Sequence, residues 1–320
     1  MIASIVHDGG MNESVRRVND PHDIPRAAWN GLWAQQKNAT PFMRHEYLCA
    51  LHASQSAVPS TGWSPTFITV WQGDELQAAC PLYVKSHSYG EYVFDWAWAN
   101  AYEQHGLAYY PKAVIAVPFT PVPGVRLMAR DAPSRQALLR EVLQFGQSQA
   151  WSSLHLLWLS DEDQQACDAQ GLMMRQAVQF HWRNTEPKYA DFDAFLTTLT
   201  QDKRKKIRQE RRKVAEAGVR FRTILGEDMT TQDWDFFYRC YVQTYLEHRN
   251  APYLTRDFFT RMAQDMPQHW VLFVAERHAQ PIACSLVAVS ERNAQGVAYG
   301  RYWGALERVD CLHFEACYYQ

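Results

Sequence analysis

The sequence predicts a mixed α/β protein, in the α/β or α+β class, built from two related units in tandem. Strand-like and helix-like hydrophobic patterns alternate along the chain, which is typical of layered folds of this class. In addition, the same two short motifs occur twice along the chain and in the same order. Ala-Cys-x-Leu stands at 79–82 and again at 283–286, and Tyr-Gly-x-Tyr follows at 89–92 and at 299–302. A longer hairpin loop in the second unit would explain the wider spacing there, and two long copies are too few for a solenoid.

The division into domains follows from this repeat and from the chain length. A chain of 320 residues commonly forms two domains, and we place them at 1–185 and 186–320. The first unit continues well past its Ala-Tyr-Tyr at 108–110, whereas the second reaches Cys-Tyr-Tyr at 317–319 and stops at Gln320. Either the chain is a fragment of a longer native one, or the second domain is incomplete by design. The end inside an apolar stretch favours the fragment, so a second domain truncated at its C-terminus is expected.

The composition argues against several classes of protein. With 47% hydrophobic and 13% aromatic residues the chain can fill packed cores, and its net charge of −2 gives no global sign of nucleic-acid or membrane binding. No apolar run is long enough to span a membrane, and the first residues lack a signal-peptide pattern. The seven cysteines show no CxxC pairing, as in reducing compartments. A cytoplasmic protein without membrane insertion is predicted.

In the first unit, local signals mark where most elements begin and end. Thr40 and Pro41 predict a helix start, Gly73-Asp74 predicts a hairpin turn, and Asp131 or Ser134 is the expected cap of a longer helix. The predicted elements are, in order, helix 41–53, strands 67–71 and 76–85, strand 92–98, strand 113–119, helix 133–150, strand 154–159, helix 161–170 and strand 173–182.

In the second unit, the pattern begins with a long basic helix. Gly218 predicts its C-terminal end, and Thr255 predicts the start of a later helix, with Asp257 near its N-terminus. The predicted elements are, in order, helix 192–217, strand 219–225, helix 230–248, helix 255–265, a hairpin over 270–289, strand 296–303 and the start of a helix at 313–320.

Several longer stretches carry a resemblance to a known family. They are Pro81–Trp96, Pro118–Val122, Lys205–Arg212, Pro252–Thr255, Gly300–Gly304 and His313–Glu315. Over residues 25–320 the chain resembles the FemAB-like branch of the GNAT acyltransferase superfamily, a group of predicted bacterial N-acyltransferases linked to peptidoglycan biosynthesis. The resemblance implies two tandem GNAT-like (Fem-like) domains, the second cut short, and a sequence that continues past Gln320.

The resemblance also implies an activated acyl donor. GNAT domains that use acetyl-CoA cradle its pyrophosphate in a Gln/Arg-x-x-Gly-x-Gly/Ala turn at a helix N-terminus. This pattern is missing, and Leu306–Asp310 stands at its expected place in the second unit. We therefore expect either acyl-CoA or, as in Fem-like proteins, an aminoacyl-tRNA as co-substrate, with no tightly bound cofactor. No metal site is predicted, because the twelve histidines show neither HxxxH nor HExxH spacing.

The first candidate site lies in the segment that follows the first Ala-Cys-x-Leu. If strand 76–85 continued, Lys85, His87, Tyr89 and Glu91 would share one face, with Asp95 nearby. A cation, an imidazole, a phenol and a carboxylate in one row would suit recognition of an amine acceptor. The alternative is a solvated strand face with paired charges.

A second group of candidate acceptor residues is Arg301, Tyr302 and Trp303 in the corresponding strand of the second unit. A guanidinium beside aromatic rings could bind a carboxylate, a phosphate or a sugar, although Trp303 alone would more simply be a core residue. Tyr253 belongs to a stretch that matches the family, and it could line the acceptor site or only pack.

Glu315 and His313 are the catalytic candidates, because either could accept the proton of the acceptor amine. Glu315 lies near a predicted helix start, where a carboxylate also complements the helix dipole without any catalytic role. In Fem-like transferases the substrate itself is thought to assist proton removal, so a protein base need not exist.

The basic helix is the candidate binding site for the donor phosphates. Eight of the eleven residues 203–213 are Lys or Arg. Arg204, Arg208 and Arg211 fall on one helix face and could bind the phosphates of tRNA or of a nucleotide-linked molecule. The alternative is a solvated helix face, partly balanced by Glu210.

Together these features predict an N-acyltransferase that transfers an acyl or aminoacyl group to an amine, for example that of a peptidoglycan precursor, in a cleft between the two domains. A second possibility, from another class, is a non-catalytic module that recognises a peptidoglycan precursor or an RNA. The missing pyrophosphate turn favours the binding module, whereas the ionisable residues at 85–91 favour the enzyme.

Overall fold

The computed structural model describes residues 3–5, 13–37, 39–290 and 296–320, and these residues form a mixed α/β protein, as predicted. The strands are β1 Ala3–Ile5, β2 Glu13–Val18, β3 Trp63–Gln72, β4 Glu75–Lys85, β5 Lys112–Ile115, β6 Met128–Ala129, β7 Leu154–Leu156, β8 Val219–Leu225, β9 Trp270–Arg277, β10 Gln280–Val289 and β11 Ala298–Ala305. The helices are α1 Arg26–Trp33, α2 His45–Ala53, α3 Trp96–Gln104, α4 Ala132–Gln147, α5 Asp161–Ala169, α6 Phe192–Thr197, α7 Gln201–Glu216, α8 Thr231–Glu247, α9 Arg256–Asp265 and α10 Leu312–Phe314. A π-helical turn, Glu315–Tyr319, follows α10.

The described residues divide into two compact units. Unit 1 lies within Met1–Met173 and Tyr253–Met266, and unit 2 lies within Met174–Pro252 and Pro267–Gln320. The sequence boundary at 185/186 assigned Tyr253–Met266 to the second domain, whereas its helix α9 packs on α2 of unit 1. The rings of Phe258 and Tyr47 meet edge to face at 5.3 Å. Burial of the apolar face of α9 explains this assignment.

Unit 1 is built on one sheet with the strand order β1-β2-β3-β4-β5-β7, and β6 pairs with β4. The pairs are antiparallel except for the parallel pair β5–β7. The predicted hairpin turn is confirmed, since Gln72 pairs with Glu75 around Gly73-Asp74. The predicted cap of α4 is also confirmed, because Asp131 accepts a hydrogen bond from the Ser134 amide at 2.8 Å. Helices α4 and α5 cover the core of this sheet.

Unit 2 is built on an antiparallel sheet with the order β11-β10-β9-β8. Helix α8 packs closely on one face of it. Gly304 of β11 allows this close approach, because a Cβ atom at that position would lie 2.0 Å from the carbonyl oxygen of Cys240 in α8. Tyr302, two residues earlier on the same face, packs against Phe237 and Tyr241 of α8.

The repeat seen in the sequence corresponds to structure only in its first half. Hairpin β9–β10 resembles β3–β4, with a two-residue turn at 278–279 in place of 73–74, and Cys80 and Cys284 are both fully buried. The second Tyr-Gly-x-Tyr, 299–302, lies in β11. The first, 89–92, instead forms an irregular turn. The wider spacing of the second copy falls in the connection between β10 and β11, which pair antiparallel.

Three predicted elements were wrong. Residues 92–98 do not form a strand, because the chain turns and then begins α3 at Trp96. The alternating pattern at 173–182 forms no strand, and Phe180 there is 97% exposed. The predicted helix 192–217 is broken into α6 and α7, where the hydroxyl groups of Thr197 and Thr198 donate to backbone carbonyls of the preceding turn. Such local bonds compete with helix continuation.

Several other predicted elements are shorter than expected. The helix expected over 41–53 begins at His45, after a 3₁₀ turn at Pro41–Met43. The strand expected over 113–119 is β5, which ends at Ile115, and Phe119 has a left-handed backbone with φ of 58°. The strand expected over 154–159 is β7, and the chain at Trp158 is also left-handed.

Candidate functional site

The predicted row of Lys85, His87, Tyr89 and Glu91 on one strand face was wrong. Strand β4 ends at Lys85, and the chain then turns through Gly90, whose φ is +82°. A side chain at Gly90 would also collide with the ring of Phe119, since its Cβ would lie 2.5 Å from that ring. As a result Lys85 and Glu91 point into the protein, whereas Tyr89 is 55% exposed.

The structure instead gathers three buried polar side chains around Lys112 of β5. We call Ser88, Glu91, Asp95 and Lys112 the buried ion cluster. The ammonium group of Lys112 donates to Oε2 of Glu91 at 2.8 Å and to Oγ of Ser88 at 2.9 Å, and it also contacts Oδ2 of Asp95. All four residues are buried. Lys112 therefore ties the turn after β4, and the segment leading into α3, to the middle of the sheet.

Two tyrosines extend the buried ion cluster by hydrogen bonds. The hydroxyl of Tyr109 donates to Oδ2 of Asp95 at 2.8 Å and lies 3.5 Å from Nε2 of His155. Nε2 of His155 is also 2.8 Å from Oγ of Ser153. The hydroxyl of Tyr110 lies 2.7 Å from Oγ of Ser88. A chain of hydrogen-bonding groups thus runs from the fully buried carboxylates to the half-buried His155.

Burial shifts the protonation of several groups in this region. It lowers the pKa of Lys85 to about 7, against the attraction of Glu91. Burial raises the pKa of Glu91 to about 7, although Lys112 opposes the shift. For Asp95 burial would also raise the pKa, but hydrogen bonds from Lys112 and Tyr109 outweigh it and hold the pKa below its usual value. Two groups that titrate near neutrality in one place form a candidate acid–base site.

The surroundings of Lys85 explain how a buried ammonium group is tolerated. Its Nζ donates to the carbonyl oxygen of Tyr89 at 3.2 Å and lies 3.5 Å from the centre of the Trp63 ring. The electron-rich face of an indole attracts a cation. Both contacts help to hold the turn that carries His87 and Tyr89.

Aromatic rings form the outer part of the site in unit 1. Tyr253 stacks on Phe119 with ring centres 5.0 Å apart, and the Tyr92 ring meets Tyr253 edge to face at 6.4 Å. Tyr89 lies between His87 and Trp96, at 5.2 Å and 5.7 Å from their rings. Three of the predicted acceptor residues therefore reach the surface of unit 1, namely His87, Tyr89 and Tyr253.

In unit 2, the predicted acceptor residues on β11 do not form one wall. A guanidinium nitrogen of Arg301 lies 3.5 Å from the hydroxyl of Tyr302. A cation therefore lies beside a phenol, as the sequence suggested. Tyr302, however, is buried against α8. Trp303 points to the other face of the strand, where its ring lies 5.3 Å from that of His313.

The two catalytic candidates differ in their surroundings. Glu315 is buried and accepts hydrogen bonds from Nε of Arg211 at 3.1 and 3.2 Å and from Nε2 of Gln320 at 2.5 Å. Its carboxylate is thus engaged by a residue that the sequence assigned to donor binding. His313 is exposed, and desolvation lowers the pKa of its imidazole, so the neutral ring can accept a proton at neutral pH.

An open groove of about 610 Å³ runs along α7 and β8 in unit 2. It brings together Arg208, Arg211 and Glu315 of the predicted site. Arg204 is not part of its lining and donates to the carbonyl oxygen of Thr197 at 3.2 Å. The lining residues are Asp193, Leu196, Arg208, Arg211, Arg212, Val214, Ala215, Val219, Arg220, Phe221, Glu315 and Gln320.

The sequence did not reveal Lys112, Tyr109 or Arg220, whereas Arg212 belonged to the basic stretch that it singled out. A lysine at the start of the apolar stretch 112–117 was a possible signal, because a buried charge requires a partner. Among the described residues, no group of three or more His, Cys, Asp or Glu side chains could hold a metal ion. No helix in the described part of the chain is long and apolar enough to cross a membrane.

A comparison with family models places the sequence in a known family. The family model for FemAB-like proteins, described as peptidoglycan biosynthesis/recognition, matches residues 20–320. The match therefore includes residues of both units. No curated protein matches the chain. Among solved structures, the crystal structure of FemX is similar, with 9% sequence identity and a TM-score of 0.49 over 90% of this chain and 80% of that one.

Proposed function

Because the chain belongs to the FemAB-like family, we propose that it is an N-acyltransferase that transfers an acyl or aminoacyl group from an activated donor to an amine of a peptidoglycan precursor. The family match over residues 20–320 carries the proposal, since its description names peptidoglycan biosynthesis/recognition. This match confirms the resemblance that the sequence motifs indicate. The donor, the acceptor and the roles of individual residues are parts of the proposal.

The chemistry of amide formation assigns tasks to the candidate residues. The amine nitrogen attacks the donor carbonyl and loses a proton. The bond from the acyl carbon to the sulfur of CoA or to the ester oxygen of tRNA then breaks, and its electron pair leaves on that atom. We assign the proton to Nδ1 or Nε2 of His313, which is exposed and whose pKa is lowered by desolvation. Glu315 is less suited to this step, because Arg211 and Gln320 already engage its carboxylate.

We assign acceptor recognition in unit 1 to His87, Tyr89 and Tyr253, which reach the surface. The turn that carries His87 and Tyr89 is held in place by three buried side chains, those of Lys85, Glu91 and Asp95. These three residues therefore have a positioning role. In unit 2 we assign the acceptor contact to Arg301, which would bind an acidic group of the acceptor. Tyr302 is buried against α8 and Trp303 points to the other face of the strand, so we do not assign these two residues to the same contact.

The donor is either an acyl-CoA or an aminoacyl-tRNA, used as a co-substrate and not retained. Arg204, Arg208 and Arg211 of α7 are the proposed contacts for its phosphates. We place the reaction in the cytoplasm, because all seven cysteines are free thiols and free thiols persist in reducing compartments.

The test is transfer to a nucleotide-linked peptidoglycan precursor that bears a free lysine amine. The protein is incubated with this acceptor and with either acyl-CoA or aminoacyl-tRNA, and mass spectrometry detects the modified acceptor. We expect transfer from one donor class, and its loss in Arg301→Ala and His313→Gln. His278→Gln, an exposed histidine in the β9–β10 turn, is the matched control. Absence of transfer from both donors by the folded protein would refute the assignment.

A non-catalytic binding module is the second candidate. The observation that favours it is the burial of Lys85, Glu91, Asp95 and Lys112, since groups without access to solvent cannot touch an acceptor. A module of this kind would bind the precursor or an RNA and yield no product. Binding of the acceptor with zero turnover in the experiment above would support it.

A further inference from the structure

Residues 174–185 of unit 2, which we call the apolar segment, expose large apolar side chains and contain no acidic residue. Val178 is 80% exposed, Phe180 97% and Trp182 63%. Soluble proteins seldom expose several such side chains within one short segment unless the segment contacts a partner. The proposed transfer reaction does not use these residues. The apolar segment is therefore a candidate docking surface.

Cations accompany the apolar side chains of this segment. Arg175 and Arg183 are exposed on either side of them in the sequence. Exposed aromatic and cationic side chains without neighbouring acids are typical of segments that lie at the boundary between lipid headgroups and acyl chains. The composition of the segment thus indicates a partner that is both anionic and apolar.

Aromatic contacts join the apolar segment to α6, and α6 contacts α7. The Trp182 ring meets the Phe195 ring of α6 edge to face at 5.9 Å. Oδ1 of Asp193, also in α6, lies 3.3 Å from a guanidinium nitrogen of Arg208 in α7. Because α6 has only six residues, it is about 9 Å long. The apolar segment and α7 are therefore neighbours within unit 2.

Helix α7 is cationic on its solvent side, where exposed lysines and arginines outnumber exposed carboxylates. Apart from Arg208, the exposed cations are Lys203, Lys205, Lys206, Arg212 and Lys213. Lys205 and Arg212 are seven residues apart and therefore lie along one face of the helix, opposite the buried Val214. The exposed carboxylates, Asp202 and Glu216, lie near the two helix ends. A cationic face remains between them.

We propose that unit 2 docks on an anionic lipid surface. Val178, Phe180 and Trp182 enter the boundary between headgroups and acyl chains, and the cationic face of α7 attracts the anionic headgroups. The contact is peripheral, with side chains that enter one leaflet. The inference goes beyond the proposed function, because docking requires neither donor nor acceptor and is measured without transfer.

Two other partners fit this surface less well. RNA would use the cations of α7 and could stack bases on Trp182, but it would leave the aliphatic Val178 in water, whereas a lipid surface buries it. A second copy of the chain carries the same cationic α7, so self-association here would bring like charges together. RNA binding and self-association are therefore the competing outcomes.

The experiment measures binding of the full chain to lipid vesicles by co-sedimentation. The vesicles contain either phosphatidylcholine alone or an equal mixture of phosphatidylcholine and phosphatidylglycerol. We expect binding to the anionic vesicles at about 0.1 M salt. Binding to the neutral vesicles, and binding to the anionic vesicles at about 1 M salt, should be weaker by about tenfold or more.

Phe180→Ser tests the apolar contact, because this side chain is almost fully exposed in the unbound protein. Its loss should weaken binding to the anionic vesicles by about fivefold or more. Phe94→Ser is the matched control, since Phe94 is also exposed, at 82%, but belongs to unit 1. The control should change binding by about twofold or less.

The double variant Lys205→Gln and Arg212→Gln tests the cationic face of α7. Removal of both charges should weaken binding to the anionic vesicles by about tenfold or more. The control is the double variant Lys37→Gln and Arg140→Gln, which removes two exposed cations of unit 1 and should have an effect of about twofold or less. Circular dichroism checks that every variant is folded.

Several results would overturn the inference. Absence of binding to anionic vesicles, or equal binding to neutral ones, would exclude an anionic lipid surface. Equal effects of Phe180→Ser and Phe94→Ser, or of the two double variants, would exclude the assigned residues. A single-stranded RNA that binds more tightly than the vesicles and loses affinity in Phe180→Ser would assign the surface to nucleic acid. Dimers that form without lipid and dissociate in Phe180→Ser would assign it to a second copy of the chain.

Discussion

Lys112 in β5 and Glu91 in the turn after β4 form a fully buried ion pair, with Nζ and Oε2 2.8 Å apart. The same ammonium group reaches Asp95 and Ser88. One lysine on a neighbouring strand therefore contacts three polar groups that the chain supplies from one irregular segment. The energetic consequence is that no member can be removed alone without leaving buried charge or buried polar atoms unpaired.

Removal of this lysine should destabilise unit 1. Lys112→Met leaves two buried carboxylates without their cation, and breaking a buried pair in this way lowers the free energy of unfolding by about 3–5 kcal/mol. Hydrogen-exchange mass spectrometry in urea, read on peptides from β4, measures the change. Lys205→Met removes an exposed lysine of α7 and should have almost no effect. A Lys112→Met protein as stable as the wild type would contradict a structural role for the buried ion cluster.

The stability of unit 1 should depend on pH through Lys85. The pKa of Lys85 is lowered from 10.5 to about 7 in the folded state, so between these values the unfolded chain binds more protons. The contribution of Lys85 to the free energy of unfolding is fully present above pH 10.5, and it is lost as the pH falls to 7. The wild type should therefore gain stability from pH 7 to 10, and Lys85→Met should gain less.

Glu91 should act in the opposite direction at lower pH. Its pKa is raised from 4.5 to about 7, so its contribution to stability is present below pH 4.5 and is lost as the pH rises through 7. In Glu91→Gln this decline should disappear. Urea denaturation at intervals between pH 4.5 and 10 checks both slopes, and Lys205→Met, with an unaltered pH dependence, is the control.

Two ion pairs of the unit 2 groove should differ in strength. Arg211→Gln leaves the buried carboxylate of Glu315 without its charged donor, which should lower the free energy of unfolding by about 1.5–3 kcal/mol. Arg208→Gln breaks the exposed pair with Asp193, and such pairs contribute about 0–1 kcal/mol. Urea denaturation read on peptides of α7 and β8 compares the two variants. Equal effects would mean that burial of Glu315 does not strengthen its pair.

The glycines of β11 offer a matched test of the contact with α8. Gly304→Ala would place a Cβ atom 2.0 Å from the carbonyl oxygen of Cys240, and overpacking against backbone costs about 1–3 kcal/mol or more. Gly300→Ala meets no heavy atom within 4 Å in the same strand and should be tolerated. Thermal unfolding of the two variants checks the difference, and a stable Gly304→Ala protein would show that α8 can shift.

Local signals explain which parts of the fold could be predicted. The turn at Gly73-Asp74, the cap of α4 at Asp131 and the cap of α9 at Thr255 depend on residues next to each other in the sequence, and each is confirmed. The alternation at 85–91 failed for the opposite reason. Alternating side chains indicate a strand only where a neighbouring strand supplies hydrogen bonds, and none does so after Lys85 among the described residues.

For the candidate sites too, contacts between residues far apart in the sequence could not be predicted. Glu91 and Lys112 are 21 residues apart, and Arg211 and Glu315 are 104 residues apart. No spacing rule connects residues at such distances, because their meeting is decided by strand order and helix packing. The sequence could therefore identify Glu91, Arg211 and Glu315 as single candidates. It could not show that Arg211 and Glu315 form an ion pair with each other.

Helix α9 has a consequence for how this chain acquires its structure. Unit 1 is completed by Tyr253–Met266, although residues 174–252 of the intervening sequence belong to unit 2. During synthesis, the surface of α2 that receives Phe258 must wait until most of unit 2 has been translated. A recombinant protein cut at Met173 would expose that apolar surface and should aggregate. Dissection of this protein into independently folding halves therefore requires that residues 253–266 be returned to the N-terminal half, for example through a short engineered linker.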